Sequence, residues 1–198
     1  MKYKNTIILM VCFVPILLKG QFNDKYRGFG LDIGSSGSGL FVTFSSLHSS
    51  EKMSLNGEFR FYDIKAPDET LVYDYYSGQT RNAGGISLVM FPLFFGVNFY
   101  PFVGKIENNF SPFITTRGGI VFTIDGKESG TFKNRWTKAN TQFSPGGFIG
   151  AGIDFKMVGQ TSVSTMFGIE IIKLNEIADS VKDYSGFLIH ISFNRRLK

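Results

Sequence analysis

The chain has 198 residues, a formal charge of +5, one cysteine, 22 phenylalanines and 23 glycines. Lys2, Lys4 and Lys19 account for three of those charges, so residues 21–198 hold 18 basic against 16 acidic groups, too even a balance to mark a nucleic-acid-binding protein. The single cysteine is Cys12, which excludes disulfides, thiol catalysis and cysteine metal sites from residues 21–198.

Residues 1–20, MKYKNTIILMVCFVPILLKG, have a basic start, an uncharged apolar run over 6–18 and a small residue, Gly20, at a cleavage position. This is the layout of a secretory signal peptide. The apolar run is shorter than the roughly 20 residues that cross a bilayer as a helix, which argues against an uncleaved anchor. The expected mature domain is 21–198, a single domain by length.

From residue 26 onward the chain alternates. Segment 26–35 sets Phe29, Leu31 and Ile33 against Gly28, Gly30 and Asp32, and a glycine-rich turn over 35–39 follows. Segment 40–47 sets Leu40, Val42 and Phe44 against Phe41, Thr43 and Ser45. Segment 54–64 sets Leu55, Gly57, Phe59 and Phe61 against Asn56, Glu58, Arg60 and Tyr62. A long polar connection, 65–85, precedes segment 86–102. There Phe91, Leu93, Phe95, Val97 and Phe99 oppose Phe94, Gly96, Asn98 and Tyr100, and Pro92 predicts a bulge or local break.

Segment 110–124, FSPFITTRGGIVFTI, has Ile114, Ile120, Phe122 and Ile124 on one face and Phe113, Thr115, Arg117 and Val121 on the other. A second long polar connection, 125–145, contains the only tryptophan, Trp136. Segments 146–157 and 161–173 follow, with Asp154 and Glu170 on their polar faces. Residues 174–183 are expected to form a loop with one helical turn. Segment 184–194 closes the pattern, with Phe187, Ile189, Ile191 and Phe193 opposing Leu188, His190 and Ser192.

Eight strands result. Connections after strands two, four and six are short to moderate, and those after three and five are long. The last is intermediate, and the glycine-rich first one alone breaks the trend. Short turns at one end and longer loops at the other is the layout of an outer-membrane barrel. The even count puts both termini on the periplasmic side.

Pooling the faces separates the chemistry. One set is apolar through the strand centres, with Arg27 and Asp63 only at strand ends. The other collects Asp32, Glu58, Arg60, Arg117, Asp154, Glu170 and His190, with many glycines. A soluble secreted barrel would turn the charged set to water. A membrane barrel would turn it into the lumen and the apolar set to lipid. The leader, the strand count and the glycine content of the charged set favour the second. The expected fold is an all-β, eight-stranded antiparallel transmembrane barrel with short periplasmic turns and longer extracellular loops.

The leader, PLFFGVNFYPF at 92–102, FSPFITTRGGIVF at 110–122, FIGAGIDF at 148–155 and FLIHISF at 187–193 together resemble the small bacterial outer-membrane β-barrel proteins of the broad OmpW/OmpX-like class. The resemblance implies a bacterial outer-membrane location and a monomer. It also implies contact with outer-membrane lipid and lipopolysaccharide, and insertion by the barrel assembly machinery. Phe193 would fill the aromatic position of the assembly signal, although residues 194–198 follow it.

The seven lumen-facing charges are expected to form a structural network, since an eight-stranded barrel is just wide enough for its own side chains. An open pore is not expected. His190 with Ser192, Ser164 or Glu170 raises a catalytic alternative, a lipid-modifying enzyme, but strand spacing alone does not supply triad geometry. The reading adopted is non-enzymatic. Two separated histidines make no metal site. Gly147, Gly150 and Gly152 alternate within a strand and open no helix, so no phosphate loop and no cofactor is expected. Binding candidates lie in the long loops: Tyr73, Tyr75 and Tyr76 in the first, and Lys133, Arg135 and Trp136 in the second. The function expected is a structural or surface-interaction role. Transport of small hydrophobic solutes is a further alternative.

Overall fold

Period-two alternation lets each segment bury one face, and pairing edge to edge satisfies every strand's backbone. The computed structural model describes residues 22–64, 70–83, 88–106, 109–126, 132–137, 139–157, 159–179 and 181–197. The leader expected over 1–20 lies outside the described residues. Eight long strands form the wall: β1 (Phe22–Gly34), β2 (Gly37–His48), β3 (Met53–Ile64), β6 (Leu88–Phe99), β7 (Phe110–Asp125), β8 (Asn140–Lys156), β9 (Thr161–Ala178) and β11 (Gly186–Arg196). Between them lie β4 (Thr70–Asp74), β5 (Gln79–Ala83), a short helix α1 (Phe132–Thr137) and β10 (Val181–Asp183).

Each long strand pairs antiparallel with its sequence neighbour in the wall, and β1 pairs with β11. The β8–β9 ladder completes the ring, so the barrel is closed and has no exposed edge. Both described ends of the chain, Phe22 and Leu197, therefore lie at one rim, called here the terminal end. The other rim, the loop end, carries the 35–36 turn, β4–β5, α1 and β10.

The two pooled faces separate as the alternation requires. Phe29, Leu31, Leu40, Phe44, Phe95, Ile114, Ile120, Ile149, Phe167 and Ile169 are exposed on the outer wall. Asp32, Glu58, Arg60, Arg117, Glu170 and His190 are buried in the lumen. The high phenylalanine content is used largely outside, in rows that cross the strands. At the level nearer the loops, Phe61–Phe91, Phe91–Phe122 and Phe122–Phe143 have ring centroids 5.5, 6.2 and 4.8 Å apart. Nearer the terminal end, Phe29–Phe193 and Phe110–Phe155 are 6.1 and 5.5 Å apart. Cross-strand aromatic pairs of this kind stabilise a sheet and fix its register.

Three expectations change, and the one for Pro92 is met as a local break without a bulge. Pro92 makes no bulge: its ladder to β7 is continuous, and the β3–β6 register is the same on either side of it. Only the pairs of β3 with residues 91 and 92 are lost, because proline offers no backbone N–H there. The strand expected from residue 146 begins at Asn140, paired to Asp125, so the β7–β8 hairpin extends well into the expected loop. That loop also contains α1, which its polar composition did not suggest. The described residues of 174–183 hold no helical turn. β9 runs on to Ala178, and β10 folds back on it. Inward Ile172, Leu174 and Ala178 pack there with Tyr62, Leu88, Met90, Val121 and Tyr184. This apolar packing seals the lumen toward the loop end and accounts for the extension.

The lumen charge cluster and the candidate functional site

The site is assembled by wall geometry. Asp32 comes from β1, Glu58 and Arg60 from β3, Arg117 from β7, Glu170 from β9 and His190 from β11. The remaining strands, β2, β6 and β8, contribute the rings of Phe41, Phe94 and Phe148 at the same level. The Arg60 guanidinium lies 5.1 Å from the Phe94 centroid and 5.7 Å from that of Phe148, and Arg117 lies 5.9 Å from Phe148. These are cation–π distances. Glycine makes the space: a methyl group at Gly96 would overlap the Thr116 carbonyl oxygen and lie 2.5 Å from Arg117 Cγ.

Glu58 is the centre. Its Oε2 accepts from Arg60 Nε at 3.0 Å and Nη2 at 2.7 Å. Its Oε1 accepts from Arg117 Nη1 and lies 3.6 Å from His190 Nε2. Arg60 Nη1 donates to Glu170 Oε1 at 2.8 Å and to the Tyr62 hydroxyl at 2.8 Å, and that hydroxyl donates to Glu170 at 3.0 Å. Asp32 Oδ1 lies 2.7 Å from His190 Nδ1, and Asp32 Oδ2 lies 3.8 Å from Arg60 Nε. The imidazole stacks on Phe41, with centroids 3.7 Å apart. Each buried charge thus has an opposite charge beside it, as burial requires.

Asp154 stands apart from this cluster. It accepts from Tyr100 at 2.7 Å and from the Ser164 hydroxyl. Asp154 and Glu170 are therefore engaged by groups other than Arg117. Tyr62 and Tyr100 close these networks, and both were legible as inward by parity with Glu58 and Asn98. The catalytic alternative has a His–Asp couple but no attached nucleophile: Ser164 is held by Asp154, and Ser192 accepts from Asn194 at 3.1 Å.

Between the cluster and the terminal end the lumen opens into a cavity of about 270 Å³. Asn56, Asn98, Tyr100, Asp154, Ser164 and Asn194 are among its lining residues, with Glu58, Arg117 and His190 at its inner end. The cavity is thus mainly polar, and the charge cluster and apolar seal lie between it and the loops.

The loop candidates lie at the other rim. β4 and β5 pair only with each other, and Tyr75 and Tyr76 are exposed in the turn joining them. Tyr73 packs edge-on to Tyr75 at 5.3 Å. Gly78, at φ 67°, provides the left-handed residue this turn needs. Lys133 and Trp136 sit on α1, Lys133 exposed and Trp136 half-buried. The side chain of Arg135 lies outside the described residues. So do the charged loop residues Asp68, Glu69, Lys127 and Lys138. At β10 the hydroxyl and backbone N–H of Ser185 hold the Asp183 carboxyl below its usual range. Burial pushes the Tyr184 phenol up.

No protein-family profile matches this sequence, and no curated protein does. Solved structures do. Neisserial surface protein A is 11% identical, with a TM-score of 0.53 over 88% of this chain and 95% of that one. The fold is that of the small outer-membrane barrels. A major outer membrane protein from Thermus thermophilus is 12% identical, with a TM-score of 0.52 over 88% of this chain and 100% of its own. The N-terminal β-barrel domain of Pseudomonas aeruginosa OprF is 8% identical, with a TM-score of 0.50 over 89% and 100%. At these identities the likeness is one of architecture.

Proposed function

We propose that the chain is a bacterial outer-membrane β-barrel with a structural or surface-interaction role, without an open pore and without enzymatic activity. The observation that carries the reading is the inverted polarity of the wall. Its charges are buried and mutually paired inside, while its outer face is a belt of phenylalanine and aliphatic side chains. In water such a belt would be a large exposed apolar patch. In a bilayer it is matched to lipid, and every long strand reaches or exceeds the 9–11 residues a tilted strand needs to span. The terminal end then faces the periplasm and the loop end the exterior, where Tyr73, Tyr75 and Tyr76 present a binding surface.

Cell fractionation and heat-modifiable gel mobility test this. The protein is expected in the outer-membrane fraction, extracted only by detergent. Recovery in the aqueous fraction without detergent would refute the reading. Ile149→Arg, on the outer wall, sharpens the test. It should cost about 2–4 kcal/mol if the position lies at the bilayer midplane, and close to nothing if it faces water.

A further inference from the structure

At the terminal rim one group of cations left over from the networks above lies on two neighbouring strands. Lys25 and Arg27 on β1 and Arg195 on β11 share the outward face with Phe29 and Phe193, and all are exposed. The ladder places Arg27 directly opposite Arg195. Lys25 sits two residues before Arg27 on the same face, opposite Ser46 of β2, and Phe44 lies opposite Arg27. Like charges directly opposite on one sheet face repel.

Among the described residues nothing on that face compensates them. The outward positions around the pair are Phe29, Phe44, Ser46, Thr161, Val163 and Phe193, without a carboxylate. The rim carboxylates Asp24 and Glu51 are taken by Arg196 and Lys156. No ion-pair partner of Lys25, Arg27 or Arg195 occurs among the described residues. Two arginines opposed across a ladder are stable when an anion lies between them, because each guanidinium presents a planar fork to phosphate oxygens. On the belt side of the cluster the Phe29 and Phe193 rings lie 6.1 Å apart. A ligand touching both surfaces has an anionic head and an apolar body.

We propose that Lys25, Arg27 and Arg195 bind the phosphate of a phospholipid headgroup in the leaflet at the terminal end, with its acyl chains along Phe29, Phe44 and Phe193. The site rests on the membrane reading above. It adds to that reading a defined lipid position and a preference for anionic over zwitterionic headgroups.

Native mass spectrometry of the full chain, purified in a zwitterionic detergent and offered phosphatidylglycerol or phosphatidylcholine, tests the site. Wild type should retain phosphatidylglycerol preferentially. Arg27→Gln with Arg195→Gln should lower that preference roughly tenfold, while Lys182→Gln at the loop end leaves it unchanged. Heat-modifiable mobility establishes that each variant is folded. If the double variant fails to fold, either single variant should still reduce the preference. A folded wild type without preference, or variants that keep it, overturns the site and leaves the membrane reading intact. Displacement of the lipid by an equal concentration of inorganic phosphate overturns the assignment to a lipid headgroup. Recovery of wild type from water without detergent overturns the membrane reading itself.

Discussion

Glu58 is the residue on which the lumen depends, since one carboxylate serves both buried arginines. A buried ion pair adds little over an apolar pair of the same shape, but removing one partner strands the other. Glu58→Ala is therefore expected to destabilise the folded barrel by about 3–5 kcal/mol, read as the urea concentration at which heat-modifiable mobility is lost. Glu170→Gln should cost clearly less, because Arg60 keeps Glu58 and Asp32. Equal losses from the two would show that Glu58 is not the hub. Gly96→Val tests the space that Arg117 occupies. Displacing that side chain by overpacking should cost about 1–3 kcal/mol by the same assay. The inward set of charges was legible from parity along each strand, as were Tyr62 and Tyr100. Which carboxylate Arg117 meets was not, because Glu58 lies 59 residues away and on a strand that does not pair with β7.

At the scale of elements, the wall and its insertions behave differently. β4 and β5 form a two-stranded sheet that pairs with no wall strand. Replacing 70–83 by a short Gly/Ser linker should leave heat-modifiable mobility and urea resistance unchanged, and loss of the folded band would mean that the hairpin supports the wall. β9 is the opposite case. Its extension to Ala178 carries Leu174 and Ala178 into the apolar seal beside Ile172, and the Tyr184 hydroxyl donates to the Ala178 carbonyl at 2.8 Å. Residues 174–183 read as a loop because Asn175, Glu176, Asp179 and Asp183 dominate their composition. The packing of inward Leu174 and Ala178 outweighs that local signal. α1 was missed for a related reason: six residues within a polar stretch give no helical periodicity to read.

For the molecule as a whole, the lumen is blocked twice. The charge cluster fills its middle, and the Tyr62–Leu88–Met90–Leu174 packing closes it toward the loops. The cavity of about 270 Å³ at the terminal end does not extend through either. In planar bilayers the purified protein is expected to give no steady ion current, and a reproducible unitary conductance would show that the seal opens. A barrel packed in this way offers its outer wall and its loops as surfaces for interaction, which is where the proposed role and the lipid site both lie.

By itself the sequence determined the number of wall strands and the polarity of their two faces. Both follow from period two, a local property that each strand carries in its own residues. The alternation alone left the direction of the faces open, since it suits a soluble core or a lipid belt, and the leader, the strand count and the glycine content favoured the charged set facing inward. Ring closure made that direction common to the whole wall, since joining β8 to β9 turns one face of all eight strands inward together, and the buried face is the charged one. The pairing of Arg60 with Glu170, 110 residues apart, the separate pairing of Asp154 and the Arg27–Arg195 opposition were likewise decided by tertiary structure. Barrel stagger sets which rungs share a level, and stagger belongs to the closed ring and to no single strand.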